Sequence, residues 1–199
     1  TELTVTPRTG IIRFTFPEHA QSRIQIDLAR RIGGTSTEQR VEKVDDHTIQ
    51  GWMRCTPDGG GWGDGYGNAN YTVYFYCQFE KPFEKYGVWS VDVPAGLDRK
   101  NRLNEDPEWQ KQEGKHLGFY TEFATQAGEQ VLMKCGISFV SIDGARNNLE
   151  QELPHWNFEK VRKEARKSWN KALSCIEVKG KSERDKRIFY TGLYHTMID

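Results

Sequence analysis

The strongest constraint on this chain is an alternation of apolar and polar residues with period two, repeated in segment after segment of its first two-thirds. Ile12, Phe14 and Phe16 alternate with Arg13 and Thr15, and Ile24, Ile26 and Leu28 alternate with polar residues. Tyr71, Val73, Phe75, Cys77 and Phe79 hold the pattern longest. Successive side chains of an extended backbone point to opposite sides, so each set shares one sheet face. Further strands are expected at 40–44, 48–56, 87–93, 116–124 and 130–140. Turn chemistry separates them at Asp45-Asp46, Pro57-Asp58-Gly59, Lys81-Pro82, Pro94-Ala95-Gly96 and Gln126-Ala127-Gly128. Many strands, short turns and no intervening helix predict a mainly β fold, an antiparallel sandwich. The polar stretch 98–114 has no period and reads as a long loop.

After Val140 the period changes. Ser141 or Asp143 can cap a short helix carrying Ala145 and Leu149, which Pro154 stops. From about Asn157, Phe158, Val161, Ala165, Trp169 and Ala172 recur at three- and four-residue spacing, which predicts an amphipathic helix. Ser182 can cap a third helix with Ile188, Phe189, Leu193 and Met197 as its apolar stripe. One helix does not bury such a stripe alone, so the sandwich or further sequence must cover it. The pattern divides the chain into a sandwich at 1–142, helices and a connection at 143–180, and a last helix at 181–199 whose covering partner the residues leave open.

Charge narrows the partners. Lys+Arg and Asp+Glu are equal at 28 each, and the basic runs 160–171 and 179–187 are interleaved with acids. They read as solvated faces, not as a nucleic-acid surface. No apolar run approaches the ~18 residues of a membrane span. The chain starts at Thr1 without a signal peptide, as a trimmed segment would. Cys55, Cys77, Cys135 and Cys175 show no zinc-ligand spacing. Cys77 and Cys135 lie in apolar strands and read first as buried thiols. A disulfide is open if the protein is exported, but the sequence assigns no pairing.

The segment most suggestive of chemistry runs from Pro57 to Asn68, where six glycines surround Trp62, Tyr66, Asp58 and Asp64. A phosphate-cradling loop needs a helix after it, and here a strand follows. Asp58, Asp64 and Asn68 do not match a calcium-loop spacing. A sugar-contact loop fits better: glycine lets backbone approach a ligand, and Trp62 can offer a flat apolar face to a pyranose. A hairpin connection whose Trp62 packs on the sheet is the bland alternative. His19, His47, His116, His155 and His195 form no nucleophile motif. His116 and Glu122, placed on one strand, would stand ~20 Å apart, too far to cooperate. Asp45, Asp46, Glu150 and Glu152 are carboxylates of the type a glycosidase needs, but no spacing singles out an acid and a base. Asp45-Asp46 reads as a turn, and Glu150 and Glu152 as partners for nearby backbone or basic groups.

The stretch Gly136 to Pro154 resembles a signature of glycoside hydrolase family 92, the exo-acting α-mannosidases: G-x-S-x-x-S followed by A-x-x-N-L-x-x-E-x-P. Ile188-Phe189-Tyr190-Thr191-Gly192-Leu193-Tyr194-His195 is similar to the family's F-Y-T-A-L-Y-H, with Gly192 in place of Ala. Gly10 to Pro17 resembles its R-F-T-F-P strand, and Gly60-Gly61-Trp62 stands before the Y-x-x-Y-F strand at Tyr71 to Phe75. The opening lacks the strand that precedes R-F-T-F-P in the family. The resemblance implies a galactose-mutarotase-like β-supersandwich, linker helices and the start of an (α/α)6 barrel. It implies calcium-dependent, inverting hydrolysis by a Glu acid and an Asp base on the barrel. Those groups and the calcium ligands would lie beyond Asp199, so this segment is expected to hold no catalytic or metal-binding residue and to be inactive alone. Gly60, Gly61 and Trp62 match the family's sandwich contribution to the sugar pocket. The implied partners are mannose-containing glycans and the C-terminal catalytic domain; the implied location is periplasmic or extracellular. The alternative is an independent carbohydrate-binding module with Trp62 as its stacking platform.

Overall fold

A computed structural model describes residues 1–31, 34–59, 70–90, 103–106 and 109–198. The chain divides into two compact units, Thr1–Trp156 and Asn157–Asp199.

In the first unit the period-two segments become antiparallel strands. The order is β1 (Glu2–Val5), β2 (Thr9–Thr15), β3 (His19–Asp27), β4 (Arg30–Arg31), β5 (Gly34–Thr35), β6 (Glu38–Asp45) and β7 (Thr48–Cys55). There follow β8 (Tyr71–Phe79), β9 (Lys85–Trp89), β10 (Leu103–Asn104), β11 (Lys111–Gly114), β12 (Gly118–Thr125) and β13 (Gln130–Ser138). A seven-stranded sheet runs β1-β2-β13-β8-β7-β6-β11, a four-stranded sheet runs β10-β9-β12-β3, and β4-β5 form a ribbon. The core lies between the two larger sheets. Val41, Ile49, Phe75, Phe79, Val131 and Met133 from one meet Ile24, Val88, Phe119 and Phe123 from the other. These are the inward positions that alternation predicts for a sandwich.

Helix α1 (Ile142–Glu152) lies against β13 and β8 of the larger sheet. Ser141 is its cap, its hydroxyl accepting from Gly144 N–H at 2.9 Å. Gly136 permits the approach: a Cβ there would stand 2.3 Å from the Ala145 carbonyl oxygen and 2.9 Å from Leu149 Cβ. At the far end Lys134 Nζ donates to the Leu153 carbonyl at 3.1 Å and sits 4.6 Å from the Trp156 ring centroid. A cation there suits the negative end of the helix dipole. Glu152 accepts from Thr6 Oγ1 at 2.5 Å, Arg8 N–H at 3.0 Å and Arg8 Nε at 2.5 Å. It therefore ties the helix to the β1–β2 turn and is a structural carboxylate. Burial pushes its pKa up, but the bonds from Thr6 and Arg8 outweigh burial and leave it below the ordinary value.

In the second unit α2 (Phe158–Leu173) is capped by Asn157 and α3 (Glu183–His195) by Ser182. The Trp169 and Tyr194 rings meet at 4.8 Å, and Tyr190 Oη donates to the Ile176 carbonyl at 3.2 Å. Helix α3 contributes no buried residue, and Ile188 is 61% exposed.

Four expectations change. A strand does precede β2: Leu3 and Val5 of β1 pair with Ile12 and Gly10. Residues 111–114 are not loop; they form edge strand β11 on β6, where backbone pairing suffices without an apolar pattern. His116 lies before β12, not in it, at φ +53°. Cys77 and Cys135 face each other across β8 and β13 and are joined as a disulfide, with Cα atoms 4.1 Å apart. Cys55 and Cys175 are free.

Candidate functional site

Three chain segments meet at one end of the sandwich: the entry to β6, the exit of β7 and the loop before β12. They enclose a cleft of about 480 Å³ lined by Glu38, Arg54, Asp58, Lys115 and His116, with Thr35, Ser36, Thr37 and Thr56. Glu38 and Arg54 are register partners on β6 and β7, with an exposed ion pair at 3.5 Å. Thr37 N–H donates to the Arg54 carbonyl at 2.8 Å, and Thr56 Oγ1 donates to Thr37 Oγ1 at 3.2 Å. Hydroxyls, two cations and two carboxylates thus converge on one volume.

A buried amide holds the rim. Gln39 is fully buried; its Nε2 donates to Ser36 Oγ at 2.7 Å and the Ser36 carbonyl at 3.0 Å, and its Oε1 accepts from Leu117 N–H at 3.0 Å. Ser36 Oγ donates to the Leu28 carbonyl at 2.9 Å. The loops before β6 and β12 are therefore fixed to each other through one side chain, since a buried amide left unpaired would be costly. His116 adjoins that anchor in left-handed backbone, a conformation unfavourable for a residue with a Cβ.

The sequence reading pointed to Gly60, Gly61 and Trp62, which lie outside the described residues. The described chain reaches their border: the short turn Pro57–Gly59 places Asp58 on the cleft. The cleft itself was missed. Its residues come from segments far apart in sequence, and no local motif marks them. Two further histidines hold backbone bonds: His47 Nδ1 bonds the Phe79 carbonyl at 3.0 Å, and His19 Nδ1 accepts from Gln21 N–H at 2.9 Å.

A second group of charges sits on the four-stranded sheet. Arg23 bridges Glu122, and Lys85 Nζ lies 3.6 Å from both Glu105 and Glu122. Tyr120 Oη donates to Glu105, which holds that carboxylate low; burial, then Glu105, pushes the Tyr120 hydroxyl well above its ordinary pKa. Each carboxylate there is paired with a cation. Among the described residues no group of three or more His, Cys, Asp or Glu could hold a metal ion, and no helix is long and apolar enough to cross a membrane.

The family model described as "Glycosyl hydrolase family 92 N-terminal domain" matches residues 1–138, and that described as "Glycosyl hydrolase family 92 catalytic domain" matches residues 144–199. A curated protein of Arthroderma benhamiae, called an uncharacterized secreted glycosidase, is 36% identical over 87 residues, 41% of this chain and 11% of that protein. The family GH92 α-mannosidase BT3965 from Bacteroides thetaiotaomicron aligns with TM-score 0.76 and 28% identity over 97% of this chain and 24% of that chain. The family GH92 inverting mannosidase BT2199 from the same organism shares the fold, with TM-score 0.76 and 22% identity over 98% of this chain and 23% of its own. The chain thus spans about a quarter of these solved chains and about a tenth of the curated relative.

Proposed function

Because the chain belongs to glycosyl hydrolase family 92, we propose that it is the sandwich end of an exo-acting α-mannosidase and forms one wall of the mannose pocket. The observation that carries this is the polar cleft of about 480 Å³ whose Asp58 leads directly into Gly60, Gly61 and Trp62. A sugar needs hydrogen-bonding groups around its hydroxyls and a flat apolar face beneath its ring. The cleft supplies the first from Thr37, Glu38, Arg54, Lys115 and His116, and Trp62 supplies the second. The role is orientation and exclusion of water, not proton transfer. The Glu acid, the Asp base and the calcium ligands belong to the barrel, so no chemical step is assigned to this chain. The remainder of the barrel packs on the exposed apolar side of α3, at Ile188 and Phe189.

The protein works outside the cytosol. The Cys77–Cys135 bridge supports this, because disulfides persist in oxidising compartments. So does the relative called secreted.

The test is Trp62→Ala in the full-length enzyme. Loss of mannoside kcat/KM by tenfold or more, with the isolated 199-residue chain binding mannosides weakly or not at all, is expected. Strong mannoside binding by the isolated chain, abolished by the same substitution, would favour the carbohydrate-binding module instead. Unchanged kinetics would remove Trp62 from the pocket.

A further inference from the structure

The chain has eight asparagines, and their third residues decide which can accept a glycan. An N-linked sugar needs Asn-x-Ser or Asn-x-Thr, with x not proline. Seven of the eight are followed at that position by Asn70, Leu103, Asp106, Leu149, Glu150, Glu159 or Ala172. Asn70-Tyr71-Thr72 alone satisfies the rule.

The fold leaves this position suited to a bulky polar group. The β7–β8 ladder begins at the pair Cys55 and Tyr71, so Asn70 lies one residue outside it. Asn70 is exposed, and the next side chain, Tyr71, is 37% exposed. An exposed residue outside the ladder can carry a hydrated oligosaccharide without breaking sheet pairing or burying sugar hydroxyls. A second observation is independent of the motif: the Cys77–Cys135 bridge lies on the same strand, β8, and belongs to an oxidising compartment. In eukaryotes that is also the compartment in which the acceptor sequence is read.

We infer that Asn70 is an N-glycosylation site. The inference rests on the extracellular reading above. Asn70 Nδ2 forms a bond to C1 of the first sugar of a lipid-pyrophosphate-linked oligosaccharide. The bond from C1 to the pyrophosphate oxygen breaks, the lipid pyrophosphate leaves with the electron pair, and the amide loses one proton to a base. The glycan then stands at the start of β8, beside the strand end that borders the cleft.

The experiment is secretion of the 199-residue chain from yeast behind a secretion leader, as wild type, N70Q, T72V and T72S. Mobility before and after treatment with an N-glycan amidase is read together with peptide masses, since the amidase leaves Asp in place of a glycosylated Asn. Alkylation of the same samples reports the thiols of Cys77 and Cys135. Wild type and T72S are expected to carry one glycan at residue 70, and N70Q and T72V none, with the bridge formed in all four. An unmodified Asn70 in a secreted wild-type chain with its bridge formed would overturn the inference and leave the extracellular reading standing. Free Cys77 and Cys135 thiols in the secreted wild type would instead count against that reading.

Discussion

Cutting the Cys77–Cys135 bridge perturbs the unfolded chain more than the folded one. The two residues are 58 apart in sequence but directly opposed on β8 and β13. Closing a loop of that length removes about 14 cal/mol/K of denatured-state entropy on the chain-entropy relation, which is about 4 kcal/mol at 25 °C. The seven-stranded sheet keeps its ladder bonds whether or not the sulfurs are joined, so the folded state changes little. With a urea slope of about 2 kcal/mol/M for a domain of this size, the midpoint should fall by roughly 2 M on reduction. The assay is urea unfolding of the oxidised chain, the reduced chain and the Cys77→Ala/Cys135→Ala variant, followed by tryptophan fluorescence. The variant should match the reduced chain to within the small transfer loss of its truncated side chains. Coincident oxidised and reduced midpoints would refute the reasoning.

Other perturbations follow from single contacts. Glu152 is held below its ordinary pKa by Thr6 and Arg8, so its contribution is complete above that ordinary value of 4.5 and is lost as pH falls through the lowered folded value. Glu152→Gln should cost about 1–2 kcal/mol at neutral pH and flatten the acid limb of a stability–pH profile; an unchanged limb would remove the carboxylate from this role. Gly136→Val should lower stability by about 1–3 kcal/mol or more in thermal melts, because any Cβ there meets α1; an unchanged Tm would contradict the close approach. His116→Gly should raise stability by about 1 kcal/mol by relieving left-handed backbone, while raising the mannoside KM of the full-length enzyme; a gain in stability with unchanged KM would limit His116 to backbone geometry.

What was legible in the sequence was local. Ser141, Asn157 and Ser182 each precede an apolar helical period and each proves to be the cap. The alternation from Tyr71 to Phe79 marks β8 residue for residue. What was not legible depends on partners. Strand β11 is polar and exists because β6 offers its edge. The disulfide requires β13 to lie beside β8, a topological fact that no cysteine spacing contains. The cleft depends on Gln39 joining two loops 78 residues apart and on a left-handed His116; neither leaves a pattern in the residues nearby. Family resemblance supplied the class.

Hydrolysis of an α-mannoside by the pure 199-residue chain, beside the full-length enzyme at equal concentration and with calcium present and absent, tests the assignment of roles most directly. The full-length enzyme should turn over and the chain should show no release of mannose above the uncatalysed rate. Turnover by the chain alone would place proton-transfer groups within the sandwich and its helices, and would contradict the account.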